Sequence, residues 1–155
     1  MKVKNGNGNV KQVFKIAVVG TRGFMDDAFV LRRLENIVLP KTEEYDVILK
    51  FDDVPGVCVF AYGFAEEHGM LNIPCIRKGR LSFDTLEVLE DEAQQEQEIE
   101  LLAGTNMVVG FLEENAPKYD DTKKLLEKAK KQGSEVVSFM YDPRALEEDI
   151  ENEHQ

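Results

Sequence analysis

The run Ile16-Ala17-Val18-Val19, closed by Gly20, constrains this chain more than any other feature. Its apolar residues are continuous rather than alternating, so a strand built from them is buried on both faces. A sheet covered on both faces needs helices above and below it, and the sequence supplies them in alternation. The spacing predicts a helix from about Asp27 to Leu39, with Val30, Leu34, Ile37 and Val38 on one stripe and Asp26 or Asp27 as its cap. Pro40 closes it. Asp46 to Phe51 reads as a second strand, Val57 to His68 as a helix stopped by Gly69, and Ile73 to Arg77 as a short strand with Pro74 at its start or edge. Ser82 to about Ala103 follows as a long helix whose polar middle allows a break. Met107 to Leu112 is the fourth strand, Asp121 to Lys131 a helix ended by Gly133, and Val136 to Tyr141 the fifth strand. Alternating β and α elements predict an α/β fold: a Rossmann-like three-layer sandwich around a mainly parallel five-stranded sheet.

A chain of 155 residues is one domain's worth. The expected organisation is a flexible Gly/Asn-rich segment over residues 1–14, the domain over 15–141, and an acidic tail over 142–155. With 19 basic against 30 acidic residues the formal net charge is -11. That balance disfavours direct nucleic-acid binding, which draws on clustered cations, and equally an anionic membrane surface. No apolar run approaches the ~20 residues of a spanning helix, and the N-terminus lacks a signal peptide's apolar stretch. The expected location is the cytoplasm. The two cysteines, Cys58 and Cys75, read there as reduced core thiols rather than nucleophiles.

In an open parallel sheet, ligands bind beyond the carboxyl ends of the strands. The first such loop reads Gly20-Thr21-Arg22-Gly23-Phe24 and leads into Asp26-Asp27. Its glycines allow close backbone approach, the helix start favours an anion, and Arg22 offers a planar cationic fork. It matches neither GxGxxG nor a Walker loop; a plain tight turn with a solvent arginine is the competing reading. The second loop holds Asp52 and Asp53, which either cap the next helix or grip a ribose diol, a cationic group or a metal. A metal is the weakest of these readings, because no His or Cys cluster accompanies them, and no cofactor is indicated. His68 reads as a cap or surface residue and His154 lies in the acidic tail, so a Ser-His-Asp triad is not expected. The carboxylates between Asp84 and Glu100 read as a solvated helix face. Lys123, Lys124, Lys128, Lys130 and Lys131 could meet that face in a second copy, making a homo-oligomer.

Taken together, these pieces resemble the SLOG superfamily, in its small YspA/YpsA-related branch, over roughly Lys15 to Tyr141. K-I-A-V-V-G-T-R-G-F is similar to that family's first strand and G-[ST]-R-x-F loop. Phe64-AEEH-Gly69 with Ile73-Pro74 is similar to its second helix and third strand. Gly104-TNMVVGF-Phe111 and Lys124-LLEKAKKQ-Gly133 resemble its fourth strand and the helix beyond. Small divergent members of that family are similar to many phage-encoded proteins, so the resemblance leaves both a cellular and a phage origin open. The resemblance implies a nucleotide-derived ligand at the strand ends, with Gly20, Thr21, Arg22 and Phe24 lining its pocket. This chain departs from the family where a glycine-rich segment should follow the second strand: Asp52 to Cys58 stands there and only Gly56 survives. An expected Arg-Asn pair falls near Gln97 and Glu98, and Asn115 to Thr122 replaces a small Gly-Thr turn.

Three functions stay open. The first is a divergent binder of a nucleotide-like or other small anionic ligand, with or without catalysis, using Gly20, Thr21, Arg22, Gly23, Phe24, Asp52, Asp53, Gly56, Glu98 and Asn115. The second is an N-glycosidic hydrolase or transferase with Asp52, Asp53 or Glu98 as base or nucleophile. The third is an interaction protein whose pocket is dead and whose acidic surface engages a protein partner.

Overall fold

The computed structural model describes residues 2–4, 10–76, 86–114, 116 and 119–141. Its strands are β1 (Lys2–Lys4), β2 (Val10–Gly20), β3 (Tyr45–Phe51), β4 (Leu71–Pro74), β5 (Met107–Leu112) and β6 (Glu135–Met140). Its α-helices are α1 (Asp27–Val38), α2 (Val57–Glu67), α3 (Leu86–Leu102) and α4 (Tyr119–Lys131). Five strands pair in parallel in the order β4-β3-β2-β5-β6, the expected Rossmann-like α/β arrangement. The chain steps from β2 outward through β3 to β4, crosses back over α3, and steps outward again through β5 to β6. The direction reverses between β2 and β5, and the crevice beyond their carboxyl ends is where such sheets hold ligands.

β2 begins at Val10, five residues before the expected Lys15, and so takes in the last part of the segment read as flexible. Phe14 explains the extension: its ring lies 4.9 Å from that of Tyr45, two residues before its register partner Val47 and so on the same face of the sheet. β1 adds an antiparallel edge to Val10–Gln12, so the sheet is parallel in five strands rather than throughout. β4 starts at Leu71 because the turn at Gly69 returns the chain to the sheet at once, and it stops at Pro74, short of Arg77. There Met70 N–H donates to Ala65 C=O at 2.8 Å. α3 runs unbroken through its Gln/Glu middle, whose unbranched side chains keep their freedom in a helix. Its expected start from Ser82 to Thr85 lies outside the described residues.

α1 and α2 cover one face of the sheet and α3 and α4 the other. On the first face Phe29, Val30, Leu34, Ala61 and Phe64 meet Ile16, Val18, Leu49 and Val109. On the second, Leu101, Leu102, Leu125 and Leu126 meet Ala17, Val19 and Val108. α1 is capped by Asp26, whose Oδ1 accepts from Phe29 N–H at 3.1 Å. Gly110 lets α4 close on β5, since a Cβ there would lie 2.8 Å from Leu126 Cδ1. The α3 face also holds a charge: Lys50 is buried, and its Nζ donates to Glu100 C=O at 2.6 Å, Ala103 C=O at 2.9 Å and Thr105 Oγ1 at 3.3 Å. A cation from β3 thus satisfies the last carbonyls of α3, at the end where the helix dipole favours it.

Candidate functional site

The crevice beyond β2 and β3 is a cleft of about 180 Å³. Gly20 and Arg22 come from the β2–α1 loop, Asp52, Asp53 and Val54 from the β3–α2 loop, and Gln94, Gln97 and Glu98 from α3. Asp121 and Thr122 in the first turn of α4 close the far side, over an apolar floor of Val19, Leu101 and Leu125. Five residues singled out from the sequence meet here: Gly20, Arg22, Asp52, Asp53 and Glu98. Four others have structural work instead, and Asn115 lies outside the described residues.

Phe24 is the clearest correction to the expected pocket lining. It is 2% exposed and sits on the α1 side, with ring centroids 5.0 Å from Tyr141, 5.8 Å from Phe29 and 6.2 Å from Phe111. The motif reverses direction between Arg22 and Phe24, sending the cation to the cleft and the ring to the core. Gly23, at φ 81°, makes that reversal, since few L side chains adopt this conformation. Thr21 is also buried: its N–H donates to Phe111 C=O and its Oγ1 accepts from Glu113 N–H, both at 3.0 Å. It ties β2 to the end of β5. Gly56 joins the two loops. Gly23 N–H donates to Pro55 C=O at 2.8 Å, and a Cβ on Gly56 would stand 2.8 Å from Phe24 N.

The two aspartates are not helix caps. Gly56 precedes α2 without a side-chain bond, whereas Asp52 Oδ1 accepts from Val54 N–H at 3.2 Å within its own loop. Asp53 Oδ1 accepts from Gln97 Nε2 at 2.5 Å, and the same nitrogen donates to Cys75 C=O at 2.8 Å. Gln97 is 5% exposed and so holds α3 to the β3–α2 loop and to the end of β4. Glu98 Oε2 pairs with Lys128 Nζ at 2.7 Å, and its Oε1 accepts from Gln94 at 3.4 Å. The attraction expected between the lysines of α4 and the acids of α3 therefore operates within one chain at this pair.

Neither thiol is poised for attack. Cys58 is half-buried, its Sγ donates to Val54 C=O at 2.9 Å, and burial followed by the charge of Asp52 pushes its pKa up. Cys75 is buried, and burial followed by Glu100 raises it likewise. His68 lies against Phe64, ring centroids 4.5 Å apart, at the end of α2. Among the described residues no three His, Cys, Asp or Glu are grouped to hold a metal ion. No helix among them is long and apolar enough to cross a membrane.

The sequence reading missed Gln94, Asp121 and Thr122. The last two fall at the start of α4, where a first-turn position beyond β5 was the available signal. Gln94 is one of several similar residues in a polar run, and only the packing of α3 selects it. The cleft can orient a small polar molecule: a planar cation on one side, carboxylates and amides on the other. Comparisons with family models, with curated proteins and with solved structures return no match for this chain.

Proposed function

We propose that this protein is a divergent SLOG-like binder of a small nucleotide-derived molecule, held in the switch-point cleft without being turned over. The observation carrying this reading is the convergence of Arg22, Asp53, Gln97 and Glu98, from three elements, on the crevice beyond the ends of β2 and β3. Arg22 would take an anionic group as a bidentate fork, and Asp52 and Asp121 would accept from ribose hydroxyls. Binding is favoured over glycosidic cleavage by how the carboxylates are engaged. Asp53 accepts from Gln97 and Glu98 pairs with Lys128, so both are held by protein donors rather than aimed at a sugar.

A thermal-shift screen with nucleoside mono- and diphosphates, ADP-ribose and cyclic nucleotides tests the reading. A ligand at ~100 Kd adds roughly 2.7 kcal/mol to the folded state. The expected result is a shift with at least one compound that disappears in Arg22→Ala. A panel without any shift defeats the proposal, and release of free base during incubation would replace it with the hydrolase reading.

A further inference from the structure

The cleft is too small for a whole nucleotide. Pockets that enclose drug-sized ligands run to roughly 300–1,000 Å³, against about 180 Å³ here. It does not end at its own rim, however. A second hollow of about 240 Å³ shares Gln94, Glu98 and Asp121 with it and adds Gln95, Lys124 and Lys128. The two hollows form one groove running outward between α3 and α4.

α3 and α4 are joined farther along by Leu101, Leu102, Leu125 and Leu126 and bridged by the Glu98–Lys128 pair, with the hollow left beside that pair. Two helices on one sheet face ordinarily seal their seam with apolar side chains. At the cleft end of this seam stand Gln94, Glu98, Asp121, Lys124 and Lys128 instead. Lys124 and Lys128 are one turn apart on α4, and seven residues of helix carry the groove about 10.5 Å from Asp121 to Lys128.

Arg22 is the cation of the inner hollow, which it shares with Asp52 and Asp53. Asp121 and Glu98 line both hollows and form a negative band between them, and Lys124 with Lys128 supplies the positive charge of the outer one. A complementary molecule carries an anion at each end and hydroxyls between them, because a hydroxyl donates to a carboxylate and a phosphate repels it. Resting on the binding role proposed above, we infer that the α3–α4 groove is a second anion subsite, and that the ligand is a sugar or nucleoside carrying two phosphates on opposite sides of the sugar. Contiguous phosphates are disfavoured, since the second would fall in the negative band. Glu98 sets the strength of the outer pole by neutralising Lys128 at 2.7 Å.

Adenosine 3′,5′-bisphosphate and ADP are isomers with equal numbers of phosphates, and isothermal titration of both, with AMP beside them, reads the placement directly. The expected result is binding of the bisphosphate about tenfold tighter than ADP, the size of one good charge-assisted contact. Lys124→Ala should bring the bisphosphate to the affinity of AMP while leaving AMP unchanged, and Arg22→Ala should weaken all three. Glu98→Gln should tighten the bisphosphate severalfold. Fructose 1,6-bisphosphate, which lacks a base, shows whether the base contributes. Both replaced cations are exposed, and an unchanged melting temperature confirms folding of each variant. Equal affinity for the two isomers, or indifference of the bisphosphate to Lys124→Ala, overturns the inference while leaving the binding role in place. Failure of every phosphate to bind overturns both.

Discussion

Within Gly20-Thr21-Arg22-Gly23-Phe24, adjacent residues serve different ends, and their variants separate those ends. Phe24 is enclosed by Phe29, Phe111 and Tyr141, so Phe24→Ala leaves a core cavity; buried Phe→Ala substitutions cost about 3–5 kcal/mol. Arg22 is exposed, and Arg22→Ala should change stability by no more than about 0.5 kcal/mol while removing ligand binding. Urea denaturation of the two variants distinguishes them, and a mild Phe24→Ala would return that ring to the pocket. The sequence could not separate the two residues, because the direction of each side chain depends on the positive φ of Gly23. Lys50 makes a second residue-scale prediction. Burial lowers its pKa from 10.5, so between its depressed folded value and 10.5 the unfolded chain holds more protons than the folded one. Stability contributed through Lys50 must then rise with pH across that window. Measured against Lys50→Met, which cancels the other titrations, the wild-type advantage should grow as the pH rises toward 10.5; a flat difference contradicts it.

Elements differ in how firmly each is held, and α3 is the least firmly held of those beside the site. β2 and β5 are buried apolar strands with neighbours on both sides. α3 is a polar helix fastened at the described positions by Gln97, Leu101 and Leu102, by the cap from Lys50, and by Lys128 and Gln132 of the neighbouring helix and its end, which reach Glu98 and Leu102 C=O. Native-state hydrogen exchange should show α3 amides opening well below the free energy of β2 and β5. Gln97→Leu should lower α3 protection further and cost about 1–3 kcal/mol, since Asp53 and Cys75 C=O lose a buried donor. Protection of α3 equal to that of β5 would show that more than these contacts holds it. The same contrast explains what was legible in the sequence. Ile16 to Gly20 and Met107 to Leu112 announce buried strands by composition alone, and their order fixes the Rossmann-like topology. From topology follows the crevice beyond β2 and the participation of Arg22, Asp52 and Asp53. The ends of β2 and β4 were misplaced because Phe14 is anchored by Tyr45 from another strand and β4 is set by the turn at Gly69. Likewise Gln94 and Asp121 enter the site through the spacing of two helices, which no local pattern encodes.

At the scale of the whole molecule the governing quantity is the net charge of -11. Such an excess repels itself within the compact state and repels a second copy approaching it. Against this stand the lysines of α4, a cluster that could draw an acidic surface toward itself. Lys128 is paired with Glu98 in the same chain, and the α3–α4 groove between them places the nearest complementary charges inside the molecule rather than across an interface. Self-attraction is thereby reduced and self-repulsion left in place, so two observables should move in fixed directions with ionic strength. Raising salt from about 10 mM to about 150 mM shortens the screening length from about 30 Å to about 8 Å, enough to damp repulsion between distant surface carboxylates. Thermal stability should rise over that range, and sedimentation should give a monomer mass at both ends of it. A dimer that forms at low salt and disperses at high salt would show that Lys123, Lys124, Lys130 and Lys131 meet the acids of a second chain. In that case the groove would be covered by protein, and the bisphosphate titration would weaken as protein concentration rises.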